Sequence, residues 1–264
     1  MPIPRVLSIA GSDSGGGAGI QADLKAFAAC QTHGMTAITA ITAQNTVAVT
    51  GVHHVPGEMI VAQMRAVVED IGVDAVKIGM LGTEETIEAV AHGLKLLDPG
   101  IPVVIDPVMV AESGAELLEP GARRALIERL FPRATVVTPN LPEARTIITD
   151  AGSDDAHHLA RQLHALGPSI VVLTGGHRTE AVDLFYDGTT VVEIPGERHP
   201  DGAAHGSGCT HSSILAARLA WGDDPLTAAR AAKLMASRAI AEGLREIGRG
   251  AGPVDVLAAD RNRP

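Results

Sequence analysis

A chain of 264 residues with 45% hydrophobic content can build a sizeable core as one large α/β domain or two small ones. Aromatic residues contribute only 2%, so that core must come from Val, Ile, Leu, Ala and Met. A formal net charge of −10 argues against a nucleic-acid or anionic-membrane binder but leaves room for a locally positive site that takes a small anion.

Residues 6–10 form a short apolar run that stops at Gly11, the pattern of a buried first strand. A loop dense in Gly and Ser follows over 11–19, and helical periodicity resumes over 20–29. Strand, glycine-rich turn and helix fit a nucleotide or phosphate fold. Gly17, however, stands where a P-loop needs its lysine, and no G-x-G-x-x-G occurs. A plain flexible loop fits the same residues. Residues 36–43 alternate β-branched and small side chains, predicting a strand that ends in Gln44-Asn45-Thr46. A helix is predicted over 57–71 and a short strand over 75–78, closed by Gly79-Met80-Leu81-Gly82. The next helix, 83–97, has Thr83 as its N-cap.

Residues 102–105 read as an apolar strand closed by Asp106-Pro107, where the proline biases Asp106 toward an extended conformation. A helix over 119–130 and a strand over 135–137 lead to Thr138-Pro139-Asn140-Leu141-Pro142-Glu143. Helical pattern returns at Glu143 and again over 154–166. A strand over 169–173 ends in Thr174-Gly175-Gly176-His177, and the runs 182–186 and 190–194, joined by Asp187-Gly188, predict a hairpin.

The stretch His205-Gly206-Ser207-Gly208-Cys209-Thr210 precedes an alanine-rich helix over 212–220. Two glycines flanking a small polar residue let a ligand approach the main chain. The start of a helix offers unpaired N–H donors and a partial positive charge, so an anion hole is expected here. Cys209 at its edge is a candidate base, with a thiol pKa that a helix N-terminus would lower. The spacing alone equally fits a glycine pair ahead of a helix with a buried cysteine. Asp224 and Pro225 start a last helix to about residue 244, and the tail over 248–264 is expected to fray.

Strands alternating with helices imply a mostly parallel sheet covered on both faces. No linker divides the chain, so a single domain is expected. Gly11, Gln44, Asp106, Asn140 and Thr174 each follow an apolar strand. If those strands are parallel, all five meet at one edge of the sheet, where ligands sit in open α/β folds. Cys30 and Cys209 make no metal or redox spacing and fit a reduced, cytoplasmic setting. No secretory signal and no bilayer-spanning run is read from the sequence.

The segments "AGSDSGGGAGIQADLK" at 10–25, "TAQNT" at 42–46, "KIGML" at 77–81, "DPVMVA" at 106–111, "TPNLPEA" at 138–144, "GGH" at 175–177 and "HGSGCT" at 205–210 come in one order along the chain. Together they resemble the hydroxymethylpyrimidine and hydroxymethylpyrimidine-phosphate kinases of thiamine biosynthesis, within the ribokinase-like superfamily. The resemblance spans nearly the whole chain. It implies one domain over 1–264, a three-layer sandwich with a mostly parallel central sheet flanked by helices on both faces. It also implies ATP and Mg2+, transfer of phosphate to the pyrimidine alcohol and then to its monophosphate, and a homodimer.

By the same resemblance Gly11, Asp23, Gln44 and Met80 would hold the pyrimidine. Asp106, Asn140, Thr174, Thr210 and Lys233 would serve ATP and its phosphates, and Asp106 and Glu143 the magnesium. Gly206, Ser207, Gly208 and Cys209 would carry the transfer. The residue types suit these roles. Gln44 both donates and accepts, Asp23 can accept from an exocyclic amine, and Met80 offers a polarizable surface to a flat ring. Read only as residues, Asp23 also fits a first-turn helix carboxylate, Met80 plain core, and Asn140 with Glu143 a helix cap. Relatives commonly carry a lysine where this chain has Thr174, and Lys233 matches a further family lysine. Two other functions fit the pattern: a kinase of a related alcohol such as pyridoxal, and a pyrimidine-binding protein that has lost transfer.

Overall fold

The computed structural model describes residues 2–111, 114–119, 121–149, 155–176, 181–200 and 202–258. In chain order the elements are β1 (Arg5–Asp13), α1 (Gly19–Ala29), β2 (His33–Gln44), β3 (Val49–His54), α2 (Gly57–Asp70), β4 (Ala75–Ile78), α3 (Glu84–Gly93), β5 (Val103–Ile105) and α4 (Ala122–Ala125). There follow β6 (Val136–Val137), α5 (Leu141–Ile148), α6 (Ala156–His164), β7 (Ile170–Leu173), β8 (Asp183–Tyr186), β9 (Val191–Ile194), α7 (Ser207–Ala220) and α8 (Pro225–Ala241).

All nine strands join one sheet in the order β3-β2-β1-β4-β5-β6-β7-β8-β9. The six strands from β2 to β7 are parallel, while β3, β8 and β9 pair antiparallel with their neighbours. The middle strands are short and almost wholly apolar, because helices cover both their faces and leave no side to solvent. On one face Ile60, Met64, Ile87 and Leu159 pack on Leu7, Ile9 and Ile105. On the other, Phe27, Ile214, Leu215 and the alanines of α8 pack on Val6, Val104 and Val172. These are the three layers expected.

Several boundaries differ from expectation. β3 has no signature in the sequence, since its side chains are half-buried or exposed and carry no apolar alternation. The predicted helix over 119–130 is α4 alone, followed by a wider helical turn over 126–130. The tail does not fray over its described part. Pro253 bridges His205, Asp255 N–H donates to Ala239 O at 2.8 Å, and Val254 is buried. His177, Asp154 and the tail over 259–264 lie outside the described residues.

The largest difference concerns α7. It begins at Ser207, about a turn earlier than the sequence pattern indicated, with Gly206 as N-cap at φ 81°. That left-handed conformation suits glycine, and a methyl group there would run into the Gly17 carbonyl. The anion stretch is therefore the first turn of the helix itself.

Candidate active site

Because the six strands run parallel, their C-terminal ends lie along one edge of the sheet. There they open into a cleft of about 500 Å³. Gly11 of β1, Gln44 of β2, Met80 after β4, Asp106 after β5, Asn140 after β6 and Thr174 after β7 all line it. So do Glu143, Gly206, Ser207, Gly208, Cys209 and Lys233. Of the residues singled out from the sequence, only Asp23 and Thr210 do not.

Asp23 sits beneath the cleft with no exposed surface. Its Oδ1 accepts from Lys77 Nζ at 2.8 Å and Ser213 Oγ at 2.7 Å, and its Oδ2 from Ser8 Oγ at 2.6 Å. The carboxylate expected to meet a ring is thus used by protein partners and does not line the cleft. Lys77 is equally inaccessible, and nothing in the apolar strand "AVKI" marked it in advance. Burial opposes its charge, but Asp23 and the nearby Cys209 and Asp106 raise its pKa well above the ordinary lysine value.

Thr210 likewise does not line the cleft. Its N–H donates to Gly206 O at 2.9 Å as part of the helix, and the residue is buried. The Ser207 N–H is likewise used, donating to Ala204 O at 3.0 Å. Helix geometry leaves the Gly208 and Cys209 N–H groups without an intrahelical acceptor at the positive end of α7, and both residues line the cleft. Of the amides expected in an anion hole, those of Ser207 and Thr210 are thus bonded within the protein.

Cys209 stands beside those amides. Burial pushes its thiol up to about 12, against the pull of Lys77 and a Gly19 N–H directed at the sulfur. The expected lowering by the helix terminus is therefore outweighed by loss of water and by the charges of Asp23 and Asp106. The thiol is therefore protonated near neutrality.

Asp106 is buried and accepts from Ser212 Oγ at 3.1 Å. Burial raises its pKa, with Lys77 opposing. Asn140 caps α5 through a reciprocal pair: Glu143 N–H donates to Asn140 Oδ1 at 2.9 Å, and Asn140 N–H donates to Glu143 Oε2 at 2.9 Å. The pair is a helix cap and a cleft wall at once. Burial first, and the charge of Asp106 second, push Glu143 up to about 8.

Two further clusters carry no role in the sequence reading. Asp13 ends β1 and organises the glycine loop. Its Oδ1 accepts from Gly15 N–H at 2.7 Å, and its Oδ2 from Gly17 N–H at 3.0 Å and Ala18 N–H at 2.9 Å. Its Oδ2 also lies 2.9 Å from His205 Nε2, which ties the glycine loop to the start of α7 across the cleft. An aspartate opening a glycine loop at a strand end was the signal available for it. At the other end Asp183 Oδ1 accepts from Gly175 N–H at 2.8 Å and Lys233 Nζ at 2.7 Å. Asp183 reads as an ordinary hairpin residue in the sequence, and no local pattern marks it.

The family described as phosphomethylpyrimidine kinase matches residues 13–255. A hydroxymethylpyrimidine/phosphomethylpyrimidine kinase from Rhizobium meliloti is 52% identical over 254 residues, covering 94% of this chain and 95% of that protein. Among solved structures, an ADP complex of Bacillus subtilis pyridoxal kinase superposes with a TM-score of 0.89 at 40% identity, covering 99% of this chain and all of that one. A phosphomethylpyrimidine kinase from Clostridium difficile superposes with a TM-score of 0.77 at 42% identity, covering 87% of this chain and 96% of that one.

Proposed function

The chain belongs to the phosphomethylpyrimidine kinase family, and on that footing we propose that it transfers the γ-phosphoryl group of ATP to the 5-hydroxymethyl group of 4-amino-5-hydroxymethyl-2-methylpyrimidine and then to the resulting monophosphate. The observation that carries this reading is the single cleft in which Gln44 and Met80 lie at one end, Thr174 and Lys233 at the other, and the open amides of Gly208 and Cys209 in the wall. Gln44 and Thr174 are five strand spacings apart, about 24 Å along the sheet, room for a small ring beside a triphosphate.

Gln44, Met80 and Gly11 hold the pyrimidine. A methyl group on Gly11 would meet the Met80 sulfur at 3.0 Å, so glycine keeps the ring side of the cleft open. Asp23 acts from below, fixing Lys77 and α1. Phosphoryl transfer has a loose transition state, so positioned donors supply most of the catalysis. Gly208 and Cys209 N–H donate to the moving phosphoryl oxygens, and Thr174 and Lys233 face the rest of the phosphate chain. Cys209 takes the hydroxyl proton, its thiolate forming once the cleft is loaded.

Asp106 and Glu143 fit a magnesium ion. Asp106 is buried and Glu143 half-buried, both carboxyls have a raised pKa in the cleft wall, and Asp106's charge raises Glu143, so a cation beside them relieves a standing repulsion. Bound there, with phosphates and water as its other ligands, magnesium would neutralise charge on the ATP phosphates.

The whole chain reads as one kinase domain, cytoplasmic and homodimeric. Among the described residues no helix is long and apolar enough to cross a membrane. The unpaired edge of β3, with Ile41, Val47 and Val52 exposed nearby, supports self-association. The likeness to pyridoxal kinases makes pyridoxal the second acceptor to test. Incubation with ATP, Mg2+ and each alcohol, followed by mass spectrometry of the products, tests the reading. One and then two added phosphates on the pyrimidine are expected. Phosphorylation of pyridoxal alone, or of neither, would overturn it.

A further inference from the structure

We propose that His211 is a phosphate-contacting residue of the nucleotide end of the cleft, a role that rests on the kinase reading above. His211 lies on α7, lines the cleft and is only 5% exposed. Its Nε2 stands 3.3 Å from Asp183 Oδ2 in a charge contact, and its Nδ1 has no hydrogen-bond partner among the described residues. A buried polar ring is normally satisfied by protein, water or ligand. Asp183 Oδ1 is taken by Gly175 N–H and Lys233 Nζ.

The charges around the ring favour a phosphate over a neutral ligand. Burial alone would raise the Asp183 pKa, but His211 and Lys233 hold it below the ordinary range, so Asp183 is ionised and orders both side chains around itself. An imidazole N–H aimed at a phosphate oxygen makes a charge-assisted hydrogen bond. Lys233 stands beside the ring through the same carboxylate. Two sources of phosphate are available: the nucleotide's chain and the acceptor's own monophosphate. Asp183 follows the tip of β7 in the sheet, at the far end from Gln44, so the nucleotide is the source favoured.

The test is direct binding by calorimetry, with ADP, adenosine and hydroxymethylpyrimidine monophosphate as probes, on the wild-type chain, His211→Leu and His211→Gln. His211→Leu is expected to weaken ADP about tenfold, the usual scale for a hydrogen bond to a charged group. Adenosine and the pyrimidine monophosphate should stay within about twofold, and His211→Gln, which keeps a donor, should recover part of the loss. Equal losses for ADP and adenosine, a loss confined to the monophosphate, or no loss overturns the assignment. Should His211→Leu not fold, imidazole NMR of the wild-type chain decides. ADP must shift the His211 ring signals and adenosine must not; signals unmoved by ADP overturn it. A wild-type chain that binds no nucleotide at all sinks the kinase reading as well, which separates the two failures.

Discussion

Lys77 Nζ lies 2.8 Å from Asp23 Oδ1, and neither side chain has any exposed surface. The pair joins β4 to α1 directly beneath the wall that carries Cys209, and Ser8 and Ser213 saturate the remaining carboxylate positions. A buried pair of this kind adds little net stability over an apolar one, but either charge alone is very unfavourable. Lys77→Met should therefore cost about 3–5 kcal/mol in urea unfolding. The double variant Lys77→Met with Asp23→Asn should recover most of that loss. If the double variant is no more stable than the single one, charge compensation is not what the pair provides.

Gly206 and Gly208 should respond differently to alanine. At Gly206, φ 81° and the Gly17 carbonyl both oppose a Cβ, so Gly206→Ala should unfold at a markedly lower temperature. At Gly208 the nearest atom to an added Cβ is Asp106 Oδ2, at an ordinary 3.8 Å. Gly208→Ala should melt within a few degrees of wild type while losing turnover, because the methyl enters the phosphate wall. Equal melting temperatures for the two variants would refute the assigned geometry.

The thiol of Cys209, pushed up to about 12, should resist alkylation by iodoacetamide near neutral pH in the ligand-free chain. If it is the proton acceptor, Cys209→Ala should lower kcat about a hundredfold or more, the lower end of general-base contributions. Pyrimidine affinity should change only a few-fold. Turnover of the wild-type chain should also rise with pH above neutrality, as the thiolate fraction grows, and the alanine variant should lose that rise. Superimposable kcat–pH profiles would remove Cys209 from proton transfer.

Asp13 couples the glycine loop to His205. Burial alone would raise its pKa, but the His205 contact and the Gly15 and Ala18 N–H groups hold it below the ordinary carboxylate value. A depressed folded pKa stabilises above the unfolded value, about 3.9, and that stability is lost as pH falls through the folded pKa. Asp13→Asn should thus flatten the acid side of the stability curve below about pH 5, measured by chemical denaturation. It should also raise KM for the pyrimidine more than it lowers kcat, since the loop it orders flanks the ring. An unchanged acid limb would mean that Asp13 is not ionised as described.

Much of this architecture is legible in residue order because its causes are local. Apolar runs with glycine or polar residues behind them mark strand and strand tip. Asp224 caps α8 and Thr83 caps α3 through their own side chains. The polar tips Gln44, Asp106, Asn140 and Thr174 share a cleft because parallel pairing puts every strand's C-terminal end on one side. The start of α7 was misplaced for an equally local reason: glycines read as loop, whereas here one caps the helix and the other lies inside its first turn.

What residue order determined, then, was which residues reach the sheet edge, since alternation of strand and helix dictates that without knowledge of distant contacts. Only the tertiary structure decided which of them are free to act. Asp23 lies beneath the cleft because partners 54 and 190 residues away engage its carboxylate, and Thr210 stays out of it because that residue is buried in the first turn of α7. The thiol of Cys209 keeps its proton because the assembled cleft wall takes water from it and sets Asp23 and Asp106 beside it, a cost that exceeds the pull of a helix terminus.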